Sequence, residues 1–292
     1  MNVIVFFCNY NMLPGLHAAI SSLLINSKEN SIFKITVFTD NIRSKEITYL
    51  NKTFNLHAKK SHSFKTQECP KSLKIVGANS LHGNFTAYGR LFIGELIHDA
   101  DKVIYLDCDV IIHFDIDILF NKINDNFTLT VDGNGEMTWS LDRELYKKAG
   151  FNLNESCFNS GVLGINLSLW KKKNVFRKFQ EIIKLYPNQF LSADQAVLNV
   201  AFYKDYLSLG NQINYTISPQ TNENLLFLLS ENRIYHFVGS PKPWDPFGKY
   251  FHKGYNLWHF YFAKTSIVKS SLLRYFSFKR TIFIIKAYLK LI

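Results

Sequence analysis

The chain predicts an α/β fold on a largely parallel sheet, and three observations carry that expectation. Residues 3–8 and 33–39 are short runs rich in β-branched and aromatic side chains, the mark of buried strands. Each is followed by a segment with helical character, about 17–25 and then 44–50, where Ser44 could cap the helix. A strand–helix–strand–helix opening favours parallel strands joined by crossovers. The third observation is the run 102–112, apolar after Lys102 except for Asp107 and Asp109, which reads as a buried central strand. With 292 residues, 47% hydrophobic and 15% aromatic, the chain can fill one large α/β domain and is too apolar for global disorder.

Alternation along an extended strand would turn Asp107 and Asp109 to one side and Cys108 to the other. Two buried carboxylates side by side repel each other and are costly to desolvate, and a divalent cation relieves both penalties. The spacing therefore reads as half of a hard-metal site, of the kind that bridges to substrate phosphates. Two solvated aspartates in a turn would give the same letters. In parallel sheets ligands sit beyond the carboxyl ends of the strands, where Asn9, Asn11 and the two aspartates would fall.

The remaining segments follow in order. Residues 84–98 read as a helix containing Arg90, either a surface charge or a guanidinium reaching the nearby carboxylates or a sugar hydroxyl. Residues 127–132 form a strand ending in an acid, and 133–140 a mobile loop with Trp139 as an apolar lid. The stretch 157–170 holds a strand with Asn159 at its mouth and Gly161 and Gly164 allowing close backbone approach. A helix over 171–185 is basic on its exposed face. Ser192 is placed to cap a helix that has Asp194 and Gln195 in its first turn, where acids also serve as cap or dipole residues. In 235–244, His236 ends an apolar strand and Lys242 lies between two prolines. A lone histidine there is ordinarily structural, but beside two carboxylates it becomes a third ligand that suits Mn²⁺.

Taken together, Tyr88-Gly-Arg-Leu91, Tyr105-Leu-Asp-Cys-Asp109, Phe158-Asn-Ser-Gly161, Ala193-Asp-Gln195 and His236-x-x-Gly-x-x-Lys-Pro-Trp244 resemble glycosyltransferase family 8. The likeness spans roughly 3–262. Any one of these motifs is weak, and their common order gives the resemblance its weight. It implies a GT-A fold: a single Rossmann-like α/β domain, 1–264, with a mixed central sheet. It also implies Mn²⁺, with Mg²⁺ as a substitute, held by Asp107, Asp109 and His236, and a UDP-galactose or UDP-glucose donor. Arg90, Asn159 and Asp194 would contact the donor sugar, Gly239 and Lys242 its diphosphate, and Gln195 would lie near the anomeric carbon, which makes Gln195 and Asp194 the candidate catalytic residues. Transfer with retention to a glycan or glycolipid acceptor, such as a lipooligosaccharide or lipopolysaccharide, would follow. No double-displacement nucleophile like the paired carboxylates of retaining glycosidases is evident. The first loop departs from the family pattern: Asn9 replaces the usual Asp, Asn11 is kept, and Met12 stands for the aromatic that covers the base. That change makes an impaired sugar-nucleotide or glycan binder an alternative. An aspartyl-phosphate phosphatase also places D-x-D after a strand, but there the motif belongs on the first strand and the histidine–lysine segment has no role.

Net charge is +11, and no acidic residue follows Asp245, whereas Lys249, Lys253, Lys264, Lys269, Arg274, Lys279, Arg280, Lys286 and Lys290 all do. The excess is thus local and favours an anionic partner at one end of the chain. On a helical wheel, Lys269, Lys279, Arg280, Lys286 and Lys290 fall on one arc, opposite Phe278, Ile282, Ile285 and Leu289. Residues 265–292 therefore read as a basic amphipathic segment lying on an anionic membrane, or else as a helix packed on the domain. Nucleic acid is disfavoured, because the basic residues cluster with aliphatics. The four cysteines show no metal or redox spacing, and the opening strand lacks a basic lead-in. The expectation is a cytoplasmic protein peripheral to the inner face of the cytoplasmic membrane.

Overall fold

In the computed structural model the described residues are 1–70, 85–133, 135–210, 213–219, 221, 232–267, 275 and 278–289. The chain opens with β1 (Asn2–Asn9), α1 (Leu13–Asn26), β2 (Lys34–Asp40), α2 (Ser44–His57) and β3 (Ser63–Glu68). These strands pair in parallel, β2 between β1 and β3, as the alternation predicts. α1 starts earlier than its apolar period suggests because Pro14 occupies its first turn, where a missing N–H costs nothing. Ser44 is the first helical residue and not the cap; Arg43 takes that position without a side-chain bond.

Residues 86–96 form a 3₁₀ stretch (Thr86–Phe92) running into the short helix α3 (Ile93–Leu96), not the single α-helix expected. Residue 84, where that helix was expected to begin, lies outside the described residues. β4 (Lys102–Leu106) then pairs parallel to β1. The expected strand over 102–112 is broken. β4 ends at Leu106, residues 107–109 turn, and β5 (Val110–Ile112) joins a different sheet. Both halves are buried and apolar, so composition gave no sign of the break.

After α4 (Asp117–Lys122) come β6 (Leu129–Val131), the short pair β7 (Gly135–Glu136) and β8 (Ser156–Cys157) flanking α5 (Arg143–Lys148), and β9 (Val162–Asn166). The segment expected as a loop over 133–140 is thus in part a strand pair followed by a 3₁₀ turn, Met137–Trp139. β9 runs antiparallel to both β4 and β6, which makes the sheet mixed. The helical region after it splits into α6 (Leu167–Lys172) and α7 (Val175–Leu185), because Asn174 adopts φ 48°, a left-handed conformation that ends the first helix. α8 (Asp194–Ala201), β10 (Tyr206–Ser208), β11 (Asn214–Ile217) and β12 (Ile234–Phe237) complete the strands, and helices Gly248–Phe251, Tyr255–Phe262 and Phe278–Tyr288 follow.

The main sheet has the order β10-β6-β9-β4-β1-β2-β3, and a smaller one the order β11-β12-β5. Both faces of the main sheet are covered. Ile4, Phe6, Ile104 and Leu106 pack with α1, α2 and helix Tyr255–Phe262, while Val3, Val5, Val103 and Tyr105 pack with the 3₁₀ stretch, α7 and α8. Burial on both sides explains why these strands read as continuous apolar runs. All four cysteines are free, and Cys108 is buried with its thiol on the carbonyl of Phe7.

Candidate active site

The site lies where the two sheets meet. The turn at 107–109 hands the chain from one sheet to the other, and β9 and β12 close around it. Asp107 N–H donates to the Gly161 carbonyl at 2.8 Å, and Phe237 N–H donates to the Asp109 carbonyl at 2.8 Å. Antiparallel pairing sets His236 opposite Val110. Asp107, Asp109 and His236 therefore converge, with one ligand atom of each within 4.8 Å of the others. His236 Nε2 lies 3.3 Å from Asp109 Oδ1 and 3.6 Å from Asp107 Oδ2. The two aspartates face one another across a turn rather than by strand alternation.

Three observations fit these residues to a divalent cation. Two carboxylates and an imidazole are a donor set for Mn²⁺ and similar ions. The cluster is enclosed, with Asp109 and His236 at 6% and 4% exposure. Its wall needs glycine: a Cβ at Gly161 would stand 2.2 Å from His236 Cε1 and 2.9 Å from Asp107 Oδ2. Lys242 completes the rim, its Nζ 2.5 Å from Asp109 Oδ2 and its own N–H donating to Asp245 at 2.7 Å. Burial alone would raise the Asp109 carboxyl, but Lys242 and His236 outweigh it and hold the group below the usual carboxylate range. Gly239, three residues before Lys242, has φ +75°, a turn that favours glycine.

Arg90 is not a surface charge. It is 4% exposed and each of its three guanidinium nitrogens is engaged. Nη2 pairs with Asp107 Oδ1 at 2.7 Å, Nε with Asp194 Oδ2 at 2.9 Å, and Nη1 with the carbonyl and hydroxyl of Ser160 at 2.6 and 2.7 Å. The guanidinium lies 4.3 Å over the Tyr105 ring, and the Tyr105 hydroxyl donates to the same Asp107 oxygen. Asp194 is thus held by a charge pair and a Ser160 hydroxyl rather than serving as a cap. Burial raises its carboxyl to about 6, with Asp107 pushing the same way and Arg90 opposing. Ser192, expected as the cap, is bound to Asp142 instead.

Asn159 donates from Nδ2 to Gln195 Oε1 at 3.1 Å, so both residues sit beside the cluster. At the end of β1, Asn9 caps the turn Tyr10–Met12 by accepting from Asn11 N–H at 3.1 Å. Met12 packs against the core beneath it. Trp139 is 82% exposed, near exposed Leu141 and Leu191, and Asp142 ties their segments together by accepting from Leu191 N–H at 2.7 Å. Three residues that shape the site were not legible as such. Ser160 sits inside a recognised motif with no charge to mark it, Tyr105 looks like any strand aromatic, and Asn214 opens a short strand 55 residues beyond Asn159.

Replacing Gly161 with alanine should crowd His236 and Asp107 and weaken Mn²⁺ binding by roughly 10-fold or more while the protein stays folded. Calorimetric titration with Mn²⁺ and a thermal melt check this, and an unchanged affinity would show that the cation sits elsewhere.

The model of the family described as Glycosyl transferase family 8 matches residues 3–247. The lipopolysaccharide 1,3-galactosyltransferase of Salmonella typhimurium is 24% identical over 253 residues, covering 82% of this chain and 72% of the relative. The lipopolysaccharide 1,2-glucosyltransferase of Escherichia coli is 24% identical over 254 residues, 82% and 72% respectively. Among solved structures, the galactosyltransferase LgtC in complex with donor and acceptor sugar analogues superposes with a TM-score of 0.71 at 20% identity, covering 92% of this chain and 97% of that one. That likeness identifies the GT-A fold. The sheet order, the enclosed Asp–Asp–His cluster and the match over most of the chain lead to one conclusion: this protein is a glycosyltransferase belonging to family 8.

Proposed function

We propose that the protein is a Mn²⁺-dependent retaining hexosyltransferase, with Mg²⁺ as a substitute. It would move galactose or glucose from a UDP donor to a growing lipid-linked glycan, the outer part of a lipooligosaccharide or lipopolysaccharide. The observation that carries this reading is the convergence of Asp107, Asp109 and His236 with Lys242 on one enclosed spot. A divalent cation held by the three ligands would neutralise charge developing on the diphosphate oxygens. The chain's own residues then act by placement and charge. Lys242 offers its ammonium to the leaving diphosphate, and Gly239 leaves room for backbone contact. Asn9 and Asn11 reach the base, and Arg90, Asn159, Asp194 and Gln195 border the hexose. In the transfer, the bond from C1 to the β-phosphate oxygen breaks with its electron pair on the phosphate. An acceptor hydroxyl oxygen bonds C1, and its proton passes to the departing diphosphate.

Both the galactosyl and the glucosyl relatives support a hexose, and their lipopolysaccharide acceptors support a glycolipid. Trp139, Leu141 and Leu191, the last of them four residues before Gln195, are exposed and suit the apolar face of a sugar or lipid acceptor. Release of UDP from UDP-galactose and UDP-glucose, with and without Mn²⁺, tests the proposal. Slow Mn²⁺-dependent release that falls by roughly 100-fold or more in Asp109→Ala and Lys242→Ala is expected. Release indifferent to metal and to both substitutions would refute it.

The membrane-facing part of the proposal rests on a composite surface. No helix among the described residues is long and apolar enough to cross a membrane. Helix Phe278–Tyr288 lies against helix Gly248–Phe251, with the Tyr288 ring tilted against that of Phe251 at 4.6 Å and its hydroxyl on the Pro246 carbonyl. Lys269, Arg274 and Lys290, and the side chains of Phe278, Lys279 and Arg280, lie outside the described residues. Around the contact, Phe247, Tyr250, Ile282, Ile285 and Leu289 remain 42–76% exposed, and Lys249, Lys253 and Lys286 are exposed too. Apolar side chains ringed by lysines suit an anionic lipid surface and a cytoplasmic, peripheral location. The double variant Ile282→Glu, Ile285→Glu should lose co-flotation with phosphatidylglycerol vesicles that the wild type shows. Equal flotation, or equal binding to phosphatidylcholine alone, would count against the surface.

A further inference from the structure

We infer that Asn214 is a positioning residue which, through Asn159, locks the Gln195 amide so that its Nε2 group, and not its Oε1, is offered to the reacting sugar. The inference rests on the proposed hexosyl transfer. The orientation of an amide is ordinarily ambiguous, because its oxygen and nitrogen look alike. Here backbone N–H groups, which can only donate, decide it.

Ser160 N–H donates to Gln195 at 3.2 Å, so the receiving atom is Oε1. Asn159 Nδ2 donates to the same oxygen at 3.1 Å. Asn159 presents its nitrogen there because its own oxygen is taken twice, by Gly161 N–H at 3.0 Å and by Asn214 Nδ2 at 3.1 Å. Asn214 is 2% exposed and fixed in turn by Asp132, whose Oδ2 accepts the N–H of Ile213 at 2.7 Å and of Asn214 at 2.5 Å. The relay thus runs from Asp132, which holds the Asn214 backbone, through the Asn214 amide and Asn159 to Gln195, with backbone donors setting the Asn159 and Gln195 acceptors.

Two consequences follow for the chemistry. Gln195 Oε1 has both lone pairs engaged, so it is a poor candidate to attack C1 and form a glycosyl-enzyme. Among the described residues Nε2 donates to none, and the side chain is only partly buried, so both N–H groups are free for an oxygen of the donor hexose. Gln195 then serves as a hydrogen-bond donor, and Asn214 as the residue that keeps it one. Asn159 need not touch the sugar to matter.

The test has a structural and a kinetic arm. A neutron diffraction map of the protein, which separates a deuterated nitrogen from an oxygen, should place the Gln195 deuterons away from Ser160. Deuterons facing Ser160 would overturn the inference whatever the activity. In the kinetic arm, Gln195→Glu keeps both accepted bonds but loses both donors, and Asn214→Asp presents only acceptors to Asn159. We expect kcat to fall about 100-fold in the first and at least about 10-fold in the second, with the KM for the UDP-hexose and the calorimetric affinity for UDP little changed. A covalent hexose adduct on Gln195 of the wild type, seen by intact mass, or an unchanged kcat in Asn214→Asp would sink the inference. If the wild type itself cleaves no sugar nucleotide, the hexosyl-transfer proposal fails, and the neutron map still decides the orientation.

Discussion

The buried guanidinium of Arg90 is the interaction on which the site depends. It spans Asp107 and Asp194, two carboxylates delivered by different elements, and bonds Ser160 between them. Without it, Asp107 and Asp194 would meet as like charges in a desolvated corner. Breaking such a pair by removing one partner typically costs about 3–5 kcal/mol, because the other charge stays buried and unpaired. Arg90 is held in turn by the Tyr105 ring and by the Ala87 carbonyl at 3.1 Å. The arrangement fixes the Asp107 carboxylate within the cluster, and rigid supporting shells of this kind raise the affinity of a site.

The same geometry explains why the sheets divide where they do. A continuous strand over 102–112 could carry Asp107 and Asp109 on one face but could not bring His236 to them. By leaving the main sheet after Leu106 and pairing Val110 with His236, the chain sets an imidazole from a distant strand beside both carboxylates. Gly161 closes the third side by letting the start of β9 lie against the cluster. The Asp107–Asp109–His236 cluster, the residues Arg90, Asn159, Asp194 and Gln195 beside it, and Lys242 are thus products of a single junction.

Much of this was legible in the sequence. Apolar β-branched runs and strand–helix alternation marked the parallel core, and five short motifs brought Arg90, Asp107, Asp109, Asn159, Asp194, Gln195, His236 and Lys242 into one reading. Arg90 comes from the 3₁₀ stretch Thr86–Phe92, and the others stand at or within a few residues of the ends of β4, β9, α8 and β12 that meet the junction. What stayed hidden has physical causes. The break at residues 107–109 is invisible because both halves are equally apolar. The 3₁₀ stretch carrying Arg90 has helical spacing, and its burial comes from partners far off in sequence. Asn214 carries no charge and no motif, and its value lies only in which atom of Asn159 it touches. The left-handed Asn174 between α6 and α7 is likewise a backbone state, open to asparagine but not announced by it.

The most direct test of the account is pulsed electron paramagnetic resonance on Mn²⁺ bound to the protein, with and without UDP. The account predicts coupling to one directly bound imidazole nitrogen that disappears in His236→Gln, together with phosphorus coupling when UDP is present. Mn²⁺ bound through oxygen alone, or a nitrogen coupling untouched by the His236 substitution, would contradict it.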